Sequence, residues 1–546
     1  MTDHELEPGN PETSPIRRPT PPNPTAPIST APNSTAPIST APISTAPTST
    51  APLQTAPAAD GAPAAPGRAR GAILTGARIV TGLIGVAIAV VTVGAATLLP
   101  LPDHSVSRAP VVVSPAATSQ QRVCAGPLLV LGNSSGEGAS VVSSLGRPTV
   151  RFGQSSGSAT SGLLGSTDNT SGVAPQVVSL PASTDGVRPL VSGAQSQSAT
   201  TNDVYGLASA ECREPDNDTW LVGGATTTGR TTLISLANPS TVAATVTLTI
   251  YSEGGTVNAP GTDGIVVAPG SQKVLSLAAF APGIASPIVH VESRGGQIVP
   301  TLQQSTIRTL EAGGVDIVSG SAAPAKTQTI SGITIADSDA TTARQAEDGF
   351  SDLGTVVRVF VPGDKPVSAE ITVATEGGAS KPSSVKVDLT AGVVNEVPLD
   401  SFPDGNYSVT IAAAAPLVAA ARVSTVGTDG RADFAWVGAG SLLRDRAMFS
   451  VATLTGATAA SPVVHLTNPT SASQRVVISQ RGTTVATVTV PAGKTVSRSL
   501  TGSAAAYRLS GFTNLYATLG LTGDGQIAAY GITPASPEPG AIVIHP

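Results

Sequence analysis

The chain has 546 residues, a formal net charge of −6, 12% charged and 3% aromatic side chains. The acidic balance and the lack of a basic run argue against a nucleic-acid binder, which carries a basic face. Gly, Ala, Ser, Thr, Val and Pro dominate, a composition that favours strands over helical cores, and the length allows three or four domains.

Residues 1–78 form a separate material. From Ala26 the text runs APIST, APNST, APIST, APIST, APTST, APLQT. Such a Pro repeat buries too little apolar surface to offset its ordering entropy, so a disordered tail with polyproline II character is expected, as a spacer or a docking segment. Residues 79–99, "IVTGLIGVAIAVVTVGAATLL", carry no charge and are long enough for a transmembrane helix. Arg68, Arg70 and Arg78 precede it, which puts the N-terminus in the cytoplasm and the rest outside, as a single-pass cell-membrane protein. A cleaved signal ending near Val93-Gly94-Ala95 is the competing reading, against which stands the length of the leading segment.

The fold expected beyond the apolar run is mainly β, a series of tandem immunoglobulin-like antiparallel β-sandwiches. Residues 105–218 are a Ser/Gly-rich β domain holding Cys124 and Cys212, an even count that reads as a disulfide in an oxidising compartment. Residues 219–325 are sandwich repeat 1, residues 326–434 a middle module and residues 435–546 sandwich repeat 2. Period-2 alternation marks the strands: "ATVTLTI" from Ala244, "SVKVDLT" with Val385, Val387 and Leu389 on one side, "YSVTI" from Tyr407 and "ATVTV" from Ala486. No amphipathic helix is evident there.

Two stretches share an order of markers. The first has Trp220, Gly223, Asn238-Pro239, Gly254-Gly255 and Pro269-Gly270; the second has Trp436, Gly438, Asn468-Pro469, Gly482 and Ala492-Gly493. Pro ends a strand's ladder and Asn tolerates turn geometry, so each Asn-Pro marks a crossing between strands. Equivalent sandwiches would place Trp220 and Trp436 at matching, buried positions, since a sandwich poor in other aromatics uses the indole as core mass.

A proline-rich tail, one apolar helix, "RVCAGP", "ECREPDNDTWLVGG", "LANPST" and "IVVAPGS" in this order resemble the actinobacterial family catalogued as domain of unknown function 5719. The resemblance covers roughly residues 120–546. It implies a membrane-anchored envelope protein, often encoded beside a membrane glycosyltransferase, and it carries over no catalytic residues. Many members have an aromatic between Trp and Val, where this chain has Leu221.

Motifs with chemical content are weighed against this. Gly132-Asn-Ser134-Ser-Gly136 and Gly153-Gln-Ser155-Ser-Gly157 match a serine-hydrolase elbow, but no helix signal follows either. "GATTTGRT" from Gly224 mimics a phosphate loop with Arg230 in the lysine position, followed by a strand, and reads as a hairpin turn. Asp216, Asp218, Asp337 and Asp339 read as solvated loop residues without calcium-loop spacing. Neither cysteine is in a C-x-x-C pair, and His4, His104, His290, His465 and His545 are the only histidines. The expectation is therefore no catalytic residues, no cofactor and no metal site. The protein reads as a non-enzymatic scaffold or interaction partner in the cell envelope. Its partner would be an envelope protein or cell-wall polymer, with a membrane glycosyltransferase as one candidate. The alternatives are a polysaccharide-binding module array and, third, an extracytoplasmic hydrolase.

Overall fold

The computed structural model describes residues 74–98, 111–113, 119–132, 141–166, 168–169, 172–182, 189–378, 380–399, 402–454, 460–501, 505–536 and 542–544. The Pro-rich tail and most of the first Ser motif, residues 133–136, lie outside them, as do His4, His104 and His545. Met1–Val106 and Ser107–Pro546 are two separate units. In the first, the apolar run is helix α1 (Leu74–Leu98). Leu83, Ile84, Val86, Ile88, Val90, Val91 and Val93 on it are exposed. Among the described residues, no helix is long and apolar enough to cross a membrane.

The second unit is mainly β. Its N-terminal module contains β1 (Val111–Val113), β2 (Gln120–Val123), β3 (Leu129–Leu131), β4 (Val142–Ser144), β5 (Thr149–Gln154), β6 (Thr160–Leu163), β7 (Gly165–Ser166), β8 (Gln176–Leu180), β9 (Val191–Thr200) and β10 (Tyr205–Glu211). These make small sheets ordered β2-β8-β6, β10-β9-β5 and β3-β4. Their residues are small and polar, so no single large core forms; several minor apolar clusters do. Cys124–Cys212 is a disulfide that ties the end of β2 to the end of β10 across 88 residues.

The next module has β11 (Asp218–Val222), β12 (Arg230–Asn238), β13 (Ala244–Ser252), β14 (Gly255–Val257), β15 (Ile265–Val267), β16 (Ser271–Ser276), β17 (Ile288–Gly295), β18 (Val299–Arg308) and β19 (Glu311–Val318). One sheet is β11-β17-β13-β14 with β15 on β13, and the other is β19-β18-β12-β16, to which β7 adds a parallel edge. Strand β13 buries Ala244, Val246, Leu248 and Ile250 and turns its threonines outward, as the alternation requires. These side chains meet Ile234, Leu236 and Leu302 of the opposite sheet in one core. The "GATTTGRT" segment crosses between the two sheets and is not a hairpin turn, because β11 and β12 belong to different sheets.

The middle module has β20 (Ala325–Ile335), α2 (Ser338–Gln345), β21 (Val356–Phe360), β22 (Val367–Thr375), β23 (Ser383–Leu389), β24 (Val394–Pro398), β25 (Gly405–Val426) and β26 (Ala432–Gly438). The long β25 pairs with β20 and β22 along its first half, then with β21 and β26 along its second. Pro416 stands at the switch, where a residue without an N–H costs no ladder bond. Two expectations change here. Asp339 lies in the first turn of the short helix α2 and Asp337 at its N-cap, not in a loop; no side chain of this helix is buried, so it leaves no apolar period in the sequence. Strand β23 is a sheet edge where Leu389 is buried and Val387 packs partly on the core while Val385 is exposed, so its alternation marks a covered face only at its C-terminal end.

The last module has β27 (Ala447–Ser450), β28 (Ser461–Thr467), β29 (Gln474–Gln480), β30 (Thr483–Val490), β31 (Thr495–Ser499), β32 (Ala506–Ser510), β33 (Tyr516–Gly523), β34 (Gln526–Gly531) and β35 (Ile542–Ile544), which pairs with β1. Its sheets are β27-β32-β29-β30 and β31-β28-β33-β34. This repeats the strand order of the β11–β19 module. Both Asn-Pro strands, β12 and β28, are central strands whose chain then crosses to the other sheet. Trp436 breaks the parallel. It lies on β26, paired with β25, and so belongs to the middle module, whereas the counterpart of β11 is β27. The order of markers in the sequence could not distinguish a strand that ends one module from a strand that begins the next.

Candidate functional site

One strand near the end of each module, β10, β19, β26 and β34, is the edge of its sheet. β10 packs on β19, β19 on β26, β26 on β34 and β34 on β10, so four edges close on one another as a ring. Buried edges leave backbone N–H groups without ladder partners, and each such group must be satisfied. Two carboxylates do this. Asp433 Oδ2 accepts from Leu207 N at 2.9 Å and Ile527 N at 3.1 Å, and Oδ1 accepts from Val315 N at 3.2 Å. With the N–H of Phe434, Asp433 collects one donor from each module. Asp316 accepts from Trp436 N at 2.7 Å and from Ile317 N.

Both carboxylates are fully buried. Burial pushes Asp433 up to about 7, against the pull of the N–H groups of Leu207, Ile527, Phe434 and Val315. Burial also raises Asp316 well above the ordinary range. Gly206 is required here: its φ is +124°, and a Cβ would overlap Asp433 Oδ1. Sequence reading missed both aspartates. The available signal was a lone Asp inside an apolar strand, in "GGVDIV" and "ADFAWV".

Beside the ring runs the "ECREPDNDTW" segment. Glu211 is buried, with Thr533 donating from its hydroxyl at 2.6 Å and Arg122 Nη1 at 3.8 Å. Burial raises the Glu211 carboxyl, while Arg122 and Arg213 lower it. Arg213 makes a two-way backbone bridge to Val123. Its guanidinium has no hydrogen bond among the described residues and faces a cavity of about 210 Å³ with Glu214, Asp216, Asp218, Trp220 and Ser441. Burial lowers Arg213, while Glu211 opposes that shift most strongly. This cavity joins the N-terminal, β11–β19 and last modules. One cation among three carboxylates suits a zwitterionic or hydrogen-bonding ligand segment more than a free anion.

The residues singled out from the sequence fall as follows. Trp220 and Trp436 are both buried and share one core. Trp220 stacks on His290 with centroids 4.1 Å apart, and His290 Nε2 lies 3.0 Å from Asp218 Oδ1. Trp436 Nε1 donates to Gln304 Oε1 at 2.8 Å, under the Arg358 guanidinium at 4.4 Å from its ring. Gly223 of "WLVGG" lies against that indole, where a Cβ would sit 3.2 Å from Trp436 Cγ. His465 is buried, with Nδ1 at 2.7 Å from Glu376 Oε2. No Ser or Cys side chain hydrogen-bonds either histidine among the described residues. Ser155 accepts from Leu190 N at 2.8 Å, with strand β6 following it and not a helix. Arg230 pairs with Asp352 at 2.8 Å. Among the described residues, no group of three His, Cys, Asp or Glu is placed to hold a metal ion.

Asn238 and Asn468 are fully buried, and Pro239 and Pro469 follow directly where each strand ends. A model of the Family of unknown function (DUF5719) matches residues 166–501. The chain belongs to this family. The DUF5719 match takes in Cys212, the Arg213–Trp220 segment, both aspartates of the ring and both Asn-Pro turns. It begins after Cys124 and ends before β34, a narrower span than the sequence resemblance. No curated protein matches the chain.

Proposed function

We propose that this DUF5719 protein is a non-enzymatic interaction scaffold of the cell envelope, of the actinobacterial, membrane-anchored kind that the sequence resemblance implies. The apolar run at residues 79–99 would be the single-pass anchor, with the N-terminus cytoplasmic and the β unit extracytoplasmic. Its uncharged length, the arginines before it and the exposed apolar side chains of α1 support this reading. The disulfide agrees with an oxidising compartment. The two modules with Asn-Pro turns are read as immunoglobulin-like sandwiches, on the evidence of their sheets and connections.

The observation that carries the proposal is where the polar chemistry goes. Asp433, Asp316, Glu211, Arg358 and His465 are spent joining modules to one another. Arg358 donates to the carbonyls of Gly224 and Pro287 in the neighbouring module, at 3.0 and 2.8 Å. A protein that commits its buried charges to inter-module geometry is built to hold surfaces in fixed relation. The partner would be an envelope protein, with a membrane glycosyltransferase as the first candidate to test. Photo-crosslinkers at Asp216 and Ser441, in the mouth of the 210 Å³ cavity, should capture one defined membrane protein in intact cells. Capture of none, or digestion of the tail by external protease with the β unit intact, would overturn the scaffold reading or its orientation respectively.

A further inference from the structure

A second cleft lies on the other flank of the N-terminal module, between it and the last module. Its volume is about 970 Å³, at the upper end for ligand sites. The N-terminal wall is β5 with Arg151, Phe152 and Gln154; the opposite wall is the β29–β30 turn and β32, with Arg481, Tyr507 and Arg508. Among the described residues no carboxylate lines it, although the chain as a whole has a net charge of −6.

The three guanidiniums are exposed and uncommitted. Among the described residues the Arg151 guanidinium donates only to the carbonyl of its neighbour Val150, at 3.0 Å. The Arg481 and Arg508 side chains have no hydrogen bond or ion pair among the described residues, nor does the Tyr507 hydroxyl have a hydrogen bond there. Arg481 is also strained. It sits at φ +49° in the two-residue turn with Gly482, a place where Asn or Gly is normal and a long side chain costs about 1 kcal/mol. Strain kept at a cleft rim is a pointer to function.

The walls are fixed relative to each other. A Cβ at Gly153 would overlap the Ala506 side chain, so the backbone of β5 lies directly against that side chain of β32 beside the cleft. Ser192 and Ser450 share a hydrogen bond of 2.8 Å between the same two modules. The two walls that carry the cations are therefore packed directly on each other beside the cleft.

We propose that this cleft binds an acidic polyhydroxylated polymer, a glycan or a polyol phosphate, with spaced carboxylate or phosphate groups on Arg151, Arg481 and Arg508. Arginine forks match both anions, and the hydroxyl and amide groups of Ser479, Gln480 and Tyr507 suit a polyhydroxylated backbone. A nucleic acid fits less well, because its phosphates call for a denser cation track and for exposed rings to stack bases. Here Tyr507 is buried and Phe152 half-buried. The site stands on the cleft alone and does not depend on membrane attachment or on a protein partner.

The test uses the purified full-length protein in detergent. Its probes are polygalacturonate oligosaccharides and poly(glycerol phosphate), with neutral dextran and single-stranded DNA as comparisons. Binding to either acidic polymer is expected, and which one binds identifies the anion. R151Q, R481Q and R508Q should each weaken it about fivefold, and the triple variant by about a hundredfold. R294Q, at an exposed position of the β11–β19 module, should change nothing. R481G separates binding from folding: it relieves the turn, so the melting temperature should hold or rise while binding falls. Retention of neither acidic polymer, equal retention of dextran, tighter binding of DNA, or full binding by the triple variant would each overturn the proposal.

Discussion

Asn238 and Asn468 share four hydrogen bonds in two different modules, and Asn468 also accepts from Gln474 Nε2 at 2.8 Å. Asn238 Nδ2 donates to the carbonyls of Val242 at 2.8 Å and Val267 at 3.1 Å; Asn468 Nδ2 donates to those of Ala472 at 2.7 Å and Val490 at 3.0 Å. Each Oδ1 then accepts from the N–H and hydroxyl of the residue two positions on, Ser240 or Thr470. The amide thus fastens the crossover to a strand of the opposite sheet. Asn238→Ala and Asn468→Ala should each cost about 2–3 kcal/mol, because buried carbonyls lose their donors. The two share no partner, so the double variant should be additive within about 0.5 kcal/mol in urea titrations. Asn238→Asp should be worse than Ala at neutral pH, since it sets a carboxylate against two carbonyl oxygens.

Asp433 predicts an unusual pH response. Its folded carboxyl titrates at about 7, and an unfolded aspartate near 4. Between those values the folded state holds more protons, so stability should fall as pH rises, by up to about 4 kcal/mol in the limit. Asp316 and Glu211 are raised too and push the same way. Urea midpoints at pH 5 and pH 8 measure the slope. Asp433→Asn should flatten it; an unchanged slope would remove Asp433 from the account.

Asp352 works in the opposite direction. Burial alone would raise it, but hydrogen bonds from Arg308 and then Arg230 hold it at about 2. Its contribution should be complete above about pH 4 and lost as pH falls through about 2, a difference of roughly 2 kcal/mol. Arg308 Nε reaches it at 2.8 Å, from the module next door. Asp352→Asn should therefore move the acid-unfolding midpoint to higher pH and weaken the joint between the β11–β19 and middle modules first, as hydrogen exchange across that joint would report.

Removing the Cys124–Cys212 bridge should cost about 4–5 kcal/mol by loop-closure entropy for its 88-residue separation. The loss should concentrate in the N-terminal module, whose apolar clusters are small. Limited proteolysis of Cys124→Ser/Cys212→Ser protein should cut within that module while the other three resist. Uniform cleavage along the chain would contradict a local role.

Much of the architecture was legible because it is written in residue types with strong local preferences. Val246, Leu248 and Ile250 alternate with threonines, and Asn-Pro stops a ladder at both Asn238 and Asn468; each needs only neighbours in sequence to be read. Trp436 shows the limit. Its placement depends on which strand β26 joins, a tertiary choice that no local period encodes. Asp433 and Asp316 were illegible as a site for a related reason: their partners are backbone N–H groups of distant strands, and every residue type has one. The cleft arginines were overlooked because three scattered cations, Arg151, Arg481 and Arg508, make no run. Only the packing of the first module on the last brings them to one cleft.

The closed ring also dictates an order of events during synthesis. Glu211 and Arg122 are made early, yet the hydroxyl they share belongs to Thr533. Strand β10 likewise waits for β26 and β34 to cover its edge. The nascent chain must therefore carry a half-satisfied ion pair and a bare strand edge until its last module emerges. A product stopped short would keep that edge open, a feature that invites aggregation and proteolysis. Synthesis of the β27–β35 module is in this sense sensed far upstream: the module of β2–β10 becomes sound only when β34 and Thr533 have arrived.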